Sequence, residues 1–209
     1  MPAKMRQTGV YRNGDEHMIA IIMAVYNGET YLNEQIDSLL SNTEKDFVLH
    51  IFDDGSTDRS AVVIQSYTDK YPSKIFYHRN VTNQGVIHNF LNGCLQVDAD
   101  YYMFCDQDDY WCEQKIEISL KRMYELESSS GEKAPCTVFT DLYVVDENLN
   151  IVNDSFFKAA RMPFDVVNDL YKAMAVSVAP GCTMLMNKWV LDYTLPIPKT
   201  VIHDFWIIV

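Results

Sequence analysis

Short unbroken apolar runs alternate with longer amphipathic ones through the first half of the chain. Met18 to Val25 reads MIAIIMAV with no polar interruption. A run so brief and so uniformly apolar is the pattern of a strand buried on both faces of a parallel sheet. Tyr26-Asn27-Gly28 breaks it, and Tyr31 to Ser41 then sets Leu32, Ile36, Leu39 and Leu40 on one helical face. The alternation recurs: strand over Phe47 to Phe52, helix over Ser60 to Lys70, strand over Ile75 to His78, helix over Val86 to Val97, strand over Tyr101 to Cys105. Strands separated by helices of this length make βαβ units, whose right-handed crossovers give a parallel sheet with helices on both faces.

The second half is less regular. Glu113 to Glu127 carries Ile116, Leu120, Met123 and Leu126 at helical spacing, and Ser128 to Lys133 reads as a flexible connection. Thr137 to Val145 is expected as a strand, with Asp146 to Asn150 turning into Ile151-Val152. Phe164 to Met174 is expected to be helical, and Gly181 to Met186 is a glycine turn into an apolar strand. The closing VIHDFWIIV begins a helix or strand and stops in mid-element, so the sequence is expected to continue past residue 209. Residues 1–17 are polar, lack the apolar core of a signal peptide, and are expected to be a flexible leader to a single domain over residues 18–209.

Composition narrows the function classes. The chain has 209 residues, 48% of them hydrophobic, and a formal net charge of −12. That balance argues against a nucleic-acid substrate, which needs a basic footprint. No apolar run approaches the roughly 18 residues of a membrane-spanning helix. The five cysteines, Cys94, Cys105, Cys112, Cys136 and Cys182, form no C-x-x-C pair. They read as reduced, mostly buried thiols of a cytoplasmic protein.

The candidate chemistry lies where strands end. Asp106, Asp108 and Asp109 follow the apolar run Tyr101 to Cys105 directly. Three crowded carboxylates raise one another's pKa, and a hard divalent cation such as Mg²⁺ or Mn²⁺ removes the conflict. A solvated acidic turn is the plainer alternative. The carboxyl end of a core strand, where open α/β sheets bind ligands, favours the cation. Asp53 and Asp54 end the second strand in the same way, and Tyr26 and Asn27 the first, so three polar clusters are expected along one sheet edge.

Five segments in this order, A-V-Y-N-G at Ala24 to Gly28, D-D-G-S-T-D at Asp53 to Asp58, D-Q-D-D-Y-W at Asp106 to Trp111, G-C-T-M at Gly181 to Met184 and H-D-F-W at His203 to Trp206, resemble family 2 glycosyltransferases of the bacterial rhamnosyltransferase-like branch. The resemblance implies a GT-A type three-layer α/β/α sandwich with a mostly parallel, Rossmann-like central sheet. It implies a nucleotide pocket lined by Ala24, Tyr26, Asn27, Asp54, Asn83, Gly85 and Asp106, with Asp54 accepting from a pyrimidine N–H and Asp53 orienting it or capping the next helix. Asp106 and Asp108 match the metal-binding pair, Asp108 foremost, with Asp109 behind them and Trp111 a packing residue. Asp204 matches the catalytic base. Gly181, Cys182, Thr183 and His203 fall where donor or acceptor is contacted. The role of His203 stays open, since His-Asp stands where the family more often has Glu-Asp.

The activity so implied is a metal-dependent, inverting transfer of a hexosyl or rhamnosyl group. A UDP- or dTDP-sugar would be the donor, and a glycan or lipid-linked molecule the acceptor, in bacterial surface polysaccharide synthesis. Mn²⁺ or Mg²⁺ would be the cofactor, and sequence past residue 209 leaves room for peripheral contact with the inner membrane. One base beside a metal site fits a single displacement, whereas glycoside hydrolysis needs two carboxyls flanking the bond. The alternative from another class is a catalytically inactive module binding nucleotide sugar or carbohydrate. A dinucleotide oxidoreductase is excluded by the lack of G-x-G-x-x-G after the first strand.

Overall fold

The computed structural model of the chain describes residues 17–131, 133–162, 179–195 and 203–208, without the side chains of His203 and Phe205. The expected helix over 164–174 lies outside the described residues, as does all but His17 of the expected leader.

β1 (Ile19–Val25) is buried at all seven positions, as an apolar run without alternation requires. It is followed by α1 (Leu32–Ser41), β2 (Phe47–Asp53), α2 (Ser60–Lys70), β3 (Ile75–Arg79), α3 (Val86–Gln96), β4 (Tyr101–Cys105) and α4 (Lys115–Ser130). Then come β5 (Thr137–Phe139), the ribbon β6 (Val144–Val145) and β7 (Ile151–Asn153), and a short α5 (Phe156–Ala159). A 3₁₀ turn at Gly181–Thr183 leads into β8 (Met184–Asn187), with α6 (Trp189–Thr194) and α7 (His203–Ile208) after it.

The six-stranded sheet has the order β3-β2-β1-β4-β8-β5. β1 pairs parallel with β2 and β4, and β2 parallel with β3. β8 runs antiparallel to both β4 and β5. One face buries Ile19, Ile21, Met23 and Val25 with Leu32, Ile36 and Leu39 of α1, Ile64 of α2 and Ile116, Leu120 and Met123 of α4. The other buries Ala20, Ile22 and Ala24 with Phe90 and Cys94 of α3 and Val190 of α6. The result is three layers, helices over both faces of a mixed but mostly parallel sheet.

Two expected elements differ by more than a residue or two. The single strand expected over Thr137 to Val145 is divided, because Phe139↔Met184 is the last rung of the β5–β8 ladder. Past it Asp141 turns the chain, accepting from the backbone N–H of Leu142 and Phe157. The serines expected to end the fourth helix instead continue it. Ser128 and Ser129 donate to the carbonyls of Tyr124 and Leu126 one turn back, and Gly131 at φ 91° ends the element.

Candidate active site

The parallel register brings three strand ends to one edge. Val25 lies opposite Asp53 and Met23 opposite Cys105, so the segments after β1, β2 and β4 emerge side by side. They are tied to one another by polar contacts. Asn27, at φ 52°, donates its N–H to Ser56 Oγ at 3.0 Å and accepts on Oδ1 from the Thr57 N–H at 2.8 Å. Gln107 clamps the backbone of Tyr26, accepting from its N–H at 2.9 Å and donating to its carbonyl at 3.3 Å. The clamp passes so close to Gly28 that a Cβ there would lie 2.5 Å from Gln107 Oε1.

Asp53 and Asp54 are buried and serve different neighbours. Asp53 accepts from the Ser56 N–H at 2.7 Å and the Tyr77 hydroxyl at 2.8 Å, with Arg79 Nε at 3.5 Å. Asp54 holds the loop after β3. It accepts from Asn80 Nδ2 at 2.8 Å, the Gln84 N–H at 2.9 Å and the Gly85 N–H at 2.8 Å. Asn80 also donates to Asn89, which donates to the Phe52 carbonyl, so β2, the loop and α3 share one polar network. Gly55, at φ 79°, lets the backbone of Thr82 and Asn83 approach to 3.3 Å from where a Cβ would stand.

The acidic cluster sits at the end of β4. Ligand atoms of Asp106, Asp109 and Cys182 all lie within 4.8 Å of one another. Burial, and then the charges of Asp109, Asp108 and Asp204, push Asp106 up to about 6. Burial also raises Asp109, against the neighbouring Cys182 and Lys115. Burial and the Asp109 charge hold the Cys182 thiol well above its ordinary range. Asp109 Oδ2 is buried without a hydrogen-bond partner among the described residues. Asp204 belongs to this neighbourhood although it is remote in sequence, because its charge acts on Asp106. Its helix α7 is anchored by Trp206 Nε1, which donates to the Thr194 carbonyl at 2.8 Å, and by Ile207 against both apolar clusters beside it.

Comparison with known proteins decides the family. The model of glycosyl transferase family 2 matches residues 20–191. The chain belongs to glycosyltransferase family 2. The dTDP-rhamnosyl transferase RfbG of Shigella flexneri is 36% identical over 179 residues, 79% of this chain and 54% of that one. The minor teichoic acid biosynthesis protein GgaB of Bacillus subtilis is 30% identical over 133 residues, 63% of this chain and 15% of that one. Among solved structures, residues 1–349 of S. aureus TarS in complex with UDP align with a TM-score of 0.68 at 18% identity, over 91% of this chain and 54% of that one. The mannosyltransferase PcManGT from Pyrobaculum calidifontis, with GDP-Man and Mn²⁺, aligns at 0.66 and 14% identity, over 90% of this chain and 49% of that one. These likenesses establish the GT-A fold. The chain spans about half the length of the first curated relatives it matches.

The donor set of this glycosyltransferase suits a divalent cation. Asp106 and Asp109 offer hard oxygen ligands, one oxygen has no other partner, and the crowding that lifts Asp106 is what a cation relieves. The grouping differs from the expected pairing of Asp106 with Asp108. Asp108 lies in the turn after β4, exposed at the rim, while Asp109 points inward. Of the other expected residues, Ala24 is buried at the end of β1, Tyr26 is 47% exposed, and Asn83 caps the Gly85 N–H at 3.1 Å. Gly181, Cys182 and Thr183 form a buried turn whose Thr183 hydroxyl donates to the Pro180 carbonyl. The side chain of His203 lies outside the described residues. Trp111 is a packing residue, 1% exposed.

Sequence reasoning missed Gln107, Asn80, Asn89 and Lys115. The first three look like ordinary loop and helix polars. Lys115 carried a signal, since a cation in the first turn of a helix opposes the helix dipole.

Proposed function

We propose that this glycosyltransferase is a metal-dependent, inverting enzyme. It takes a UDP- or dTDP-sugar and transfers the hexosyl or rhamnosyl group to a glycan or lipid-linked acceptor in bacterial surface polysaccharide synthesis. The observation that carries the reading is the carboxylate cluster of Asp106 and Asp109 at the carboxyl edge of the sheet, with Asp204 near enough for its charge to act on Asp106. RfbG, the relative named for a dTDP-rhamnosyl donor, supports a pyrimidine nucleotide, and GgaB supports a cell-surface polymer as product.

In this reading the loop of Asn83 and Gly85, held by Asp54, forms the wall of the nucleotide pocket, and Tyr26 and Asn27 its floor. The Asp54 carboxylate has about four lone-pair directions and takes four contacts from three loop donors, the Gln84 N–H bridging both oxygens, so a ring N–H would replace one of the two Gln84 contacts. Asp106 and Asp109, with Asp108 at the rim, hold Mn²⁺ or Mg²⁺. The bound cation supplies neutralisation of the charge that grows on the departing diphosphate. Asp204 takes the proton of the acceptor hydroxyl as it attacks, and a single base without a second carboxylate as nucleophile among the described residues gives one displacement that inverts the anomeric centre. Gly181 to Thr183 border the donor sugar. The enzyme works in the cytoplasm with acceptors at the inner membrane. Among the described residues no helix is long and apolar enough to cross a membrane.

Calorimetric titration of the 209-residue chain with UDP and dTDP, in Mn²⁺ and in excess chelator, tests this. One of the two should bind, and the chelator should weaken it at least tenfold, about 1.4 kcal/mol. Equal affinity in the two buffers refutes the metal role, and no binding of either nucleotide refutes the donor class.

A further inference from the structure

Lys115 opens α4 beside the acidic loop, where the helix dipole disfavours a cation. Two contacts hold it there. Its Nζ donates to the Cys182 carbonyl at 2.5 Å and lies 3.9 Å from the centroid of the Trp111 ring. Its charge also acts on Asp109 and Asp106. Trp111 is fixed in turn, buried at 1% exposure, with its N–H donating to Ser38 Oγ at 3.0 Å. The ammonium therefore has a rigid aromatic face on one side and joins two distant segments, Trp111 just past the Asp106–Asp109 loop and the Gly181–Thr183 turn.

We propose that Lys115 is a positioning residue for the acidic cluster. It ties the Cys182 turn to Trp111 at the end of the carboxylate loop and sets a positive charge beside Asp106 and Asp109. This rests on the metal-dependent reading of the site. Two consequences oppose each other. Removing the ammonium takes a repelling charge away from an incoming cation, so the metal binds more tightly. Removing it also frees the Cys182 turn, so the wall of the site loosens. A residue serving only as core packing would weaken both together.

The test uses Mn²⁺ alone, titrated calorimetrically into the 209-residue chain, with amide exchange read at Thr183 and Met184. Both of these N–H groups close the Gly181–Thr183 turn. Lys115→Met should bind Mn²⁺ tighter by on the order of tenfold, and exchange at Thr183 and Met184 should quicken by about tenfold or more. Lys115→Arg, which keeps the charge, should match the parent's Mn²⁺ affinity within about threefold. In the parent, Mn²⁺ should slow exchange at the same two amides, a measurement that needs no variant to fold. If the parent binds Mn²⁺ but Lys115→Met binds it equally or more weakly, or if Mn²⁺ leaves the two amides unchanged, the role of Lys115 is overturned. If the parent binds no Mn²⁺, the metal-dependent reading falls and takes the inference with it.

Discussion

Replacing Asp54 by Asn tests whether one carboxylate holds the loop after β3. Asp54 is 2% exposed, so water cannot take over its contacts. Its oxygens receive Asn80 Nδ2 at 2.8 Å and the backbone N–H groups of Gln84 at 2.9 Å and Gly85 at 2.8 Å. Asn has the same shape but only one acceptor oxygen, and its amide nitrogen would face an N–H. At least one donor, Asn80 Nδ2 or the Gly85 N–H, then loses its Asp54 acceptor, which costs about 1–3 kcal/mol, and the bonds that survive lose their charge assistance. Partial relaxation of the loop limits the total to roughly 2–4 kcal/mol. For a domain of this size that lowers Tm by roughly 5–15 °C. Thermal unfolding followed by circular dichroism measures the cost, and hydrogen exchange locates it. The Gln84 and Gly85 amides should lose protection while those of β1 keep theirs. A Tm within about 2 °C of the parent, with Gln84 and Gly85 still protected, would refute the reasoning and return Asp54 to an ordinary turn residue.

Three further outcomes are expected. Gly93→Ala should destabilise by about 1–3 kcal/mol in urea unfolding, despite alanine's better helix propensity, because the new Cβ would lie 2.4 Å from Ile22 Cγ2 and 3.1 Å from the Phe52 ring. A neutral or stabilising result would show that α3 can back away from the sheet. His50, whose Nδ1 lies 3.0 Å from His78 Nε2, is lowered by burial and by the His78 charge to about 4. The unfolded chain takes that proton below about 6.5 and the fold refuses it until about 4, so stability drops as pH falls through this window by roughly 1–3 kcal/mol. His50→Phe should flatten that slope in urea midpoints taken from pH 7 to pH 4.5, and an unchanged slope would assign it to other groups. Asp204→Asn should keep nucleotide affinity within about twofold and slow transfer about 10²- to 10⁴-fold in the protein that performs it, since the amide keeps shape and loses basicity. Transfer at the parent's rate would remove Asp204 as the base.

What could be read from the sequence and what could not divide along a physical line. β1, β2 and β4 were legible because burial on both faces leaves an apolar run with no polar alternation, and that signal is local. The reversed direction of β8 was not, because Gly181 to Asn187 says nothing of which strands it will join. Its antiparallel place between β4 and β5 is fixed by pairing with residues far away in the chain. The acidic cluster divides likewise. That carboxylates gather at the end of β4 follows from order alone. Which of them face inward depends on the turn after Cys105, and that turn packs against Cys182 and Lys115. The resemblance favoured Asp108, whereas in the fold Asp109 is the one with a buried oxygen beside Asp106 and Cys182. Asp54 shows the same limit from the other side. Its position at a strand end identified a polar anchor, but its partners, Asn80, Gln84 and Gly85, belong to the next crossover and follow no period. Such cross-loop contacts leave one trace in a sequence, a polar group where local rules disfavour it. Gln35 on the apolar face of α1, wholly buried and donating to Cys105 Sγ, is one such residue. Lys115 at the start of α4 is another. Both lie beneath the acidic loop, so the residues that break the local pattern are those that connect the core to the chemistry above it.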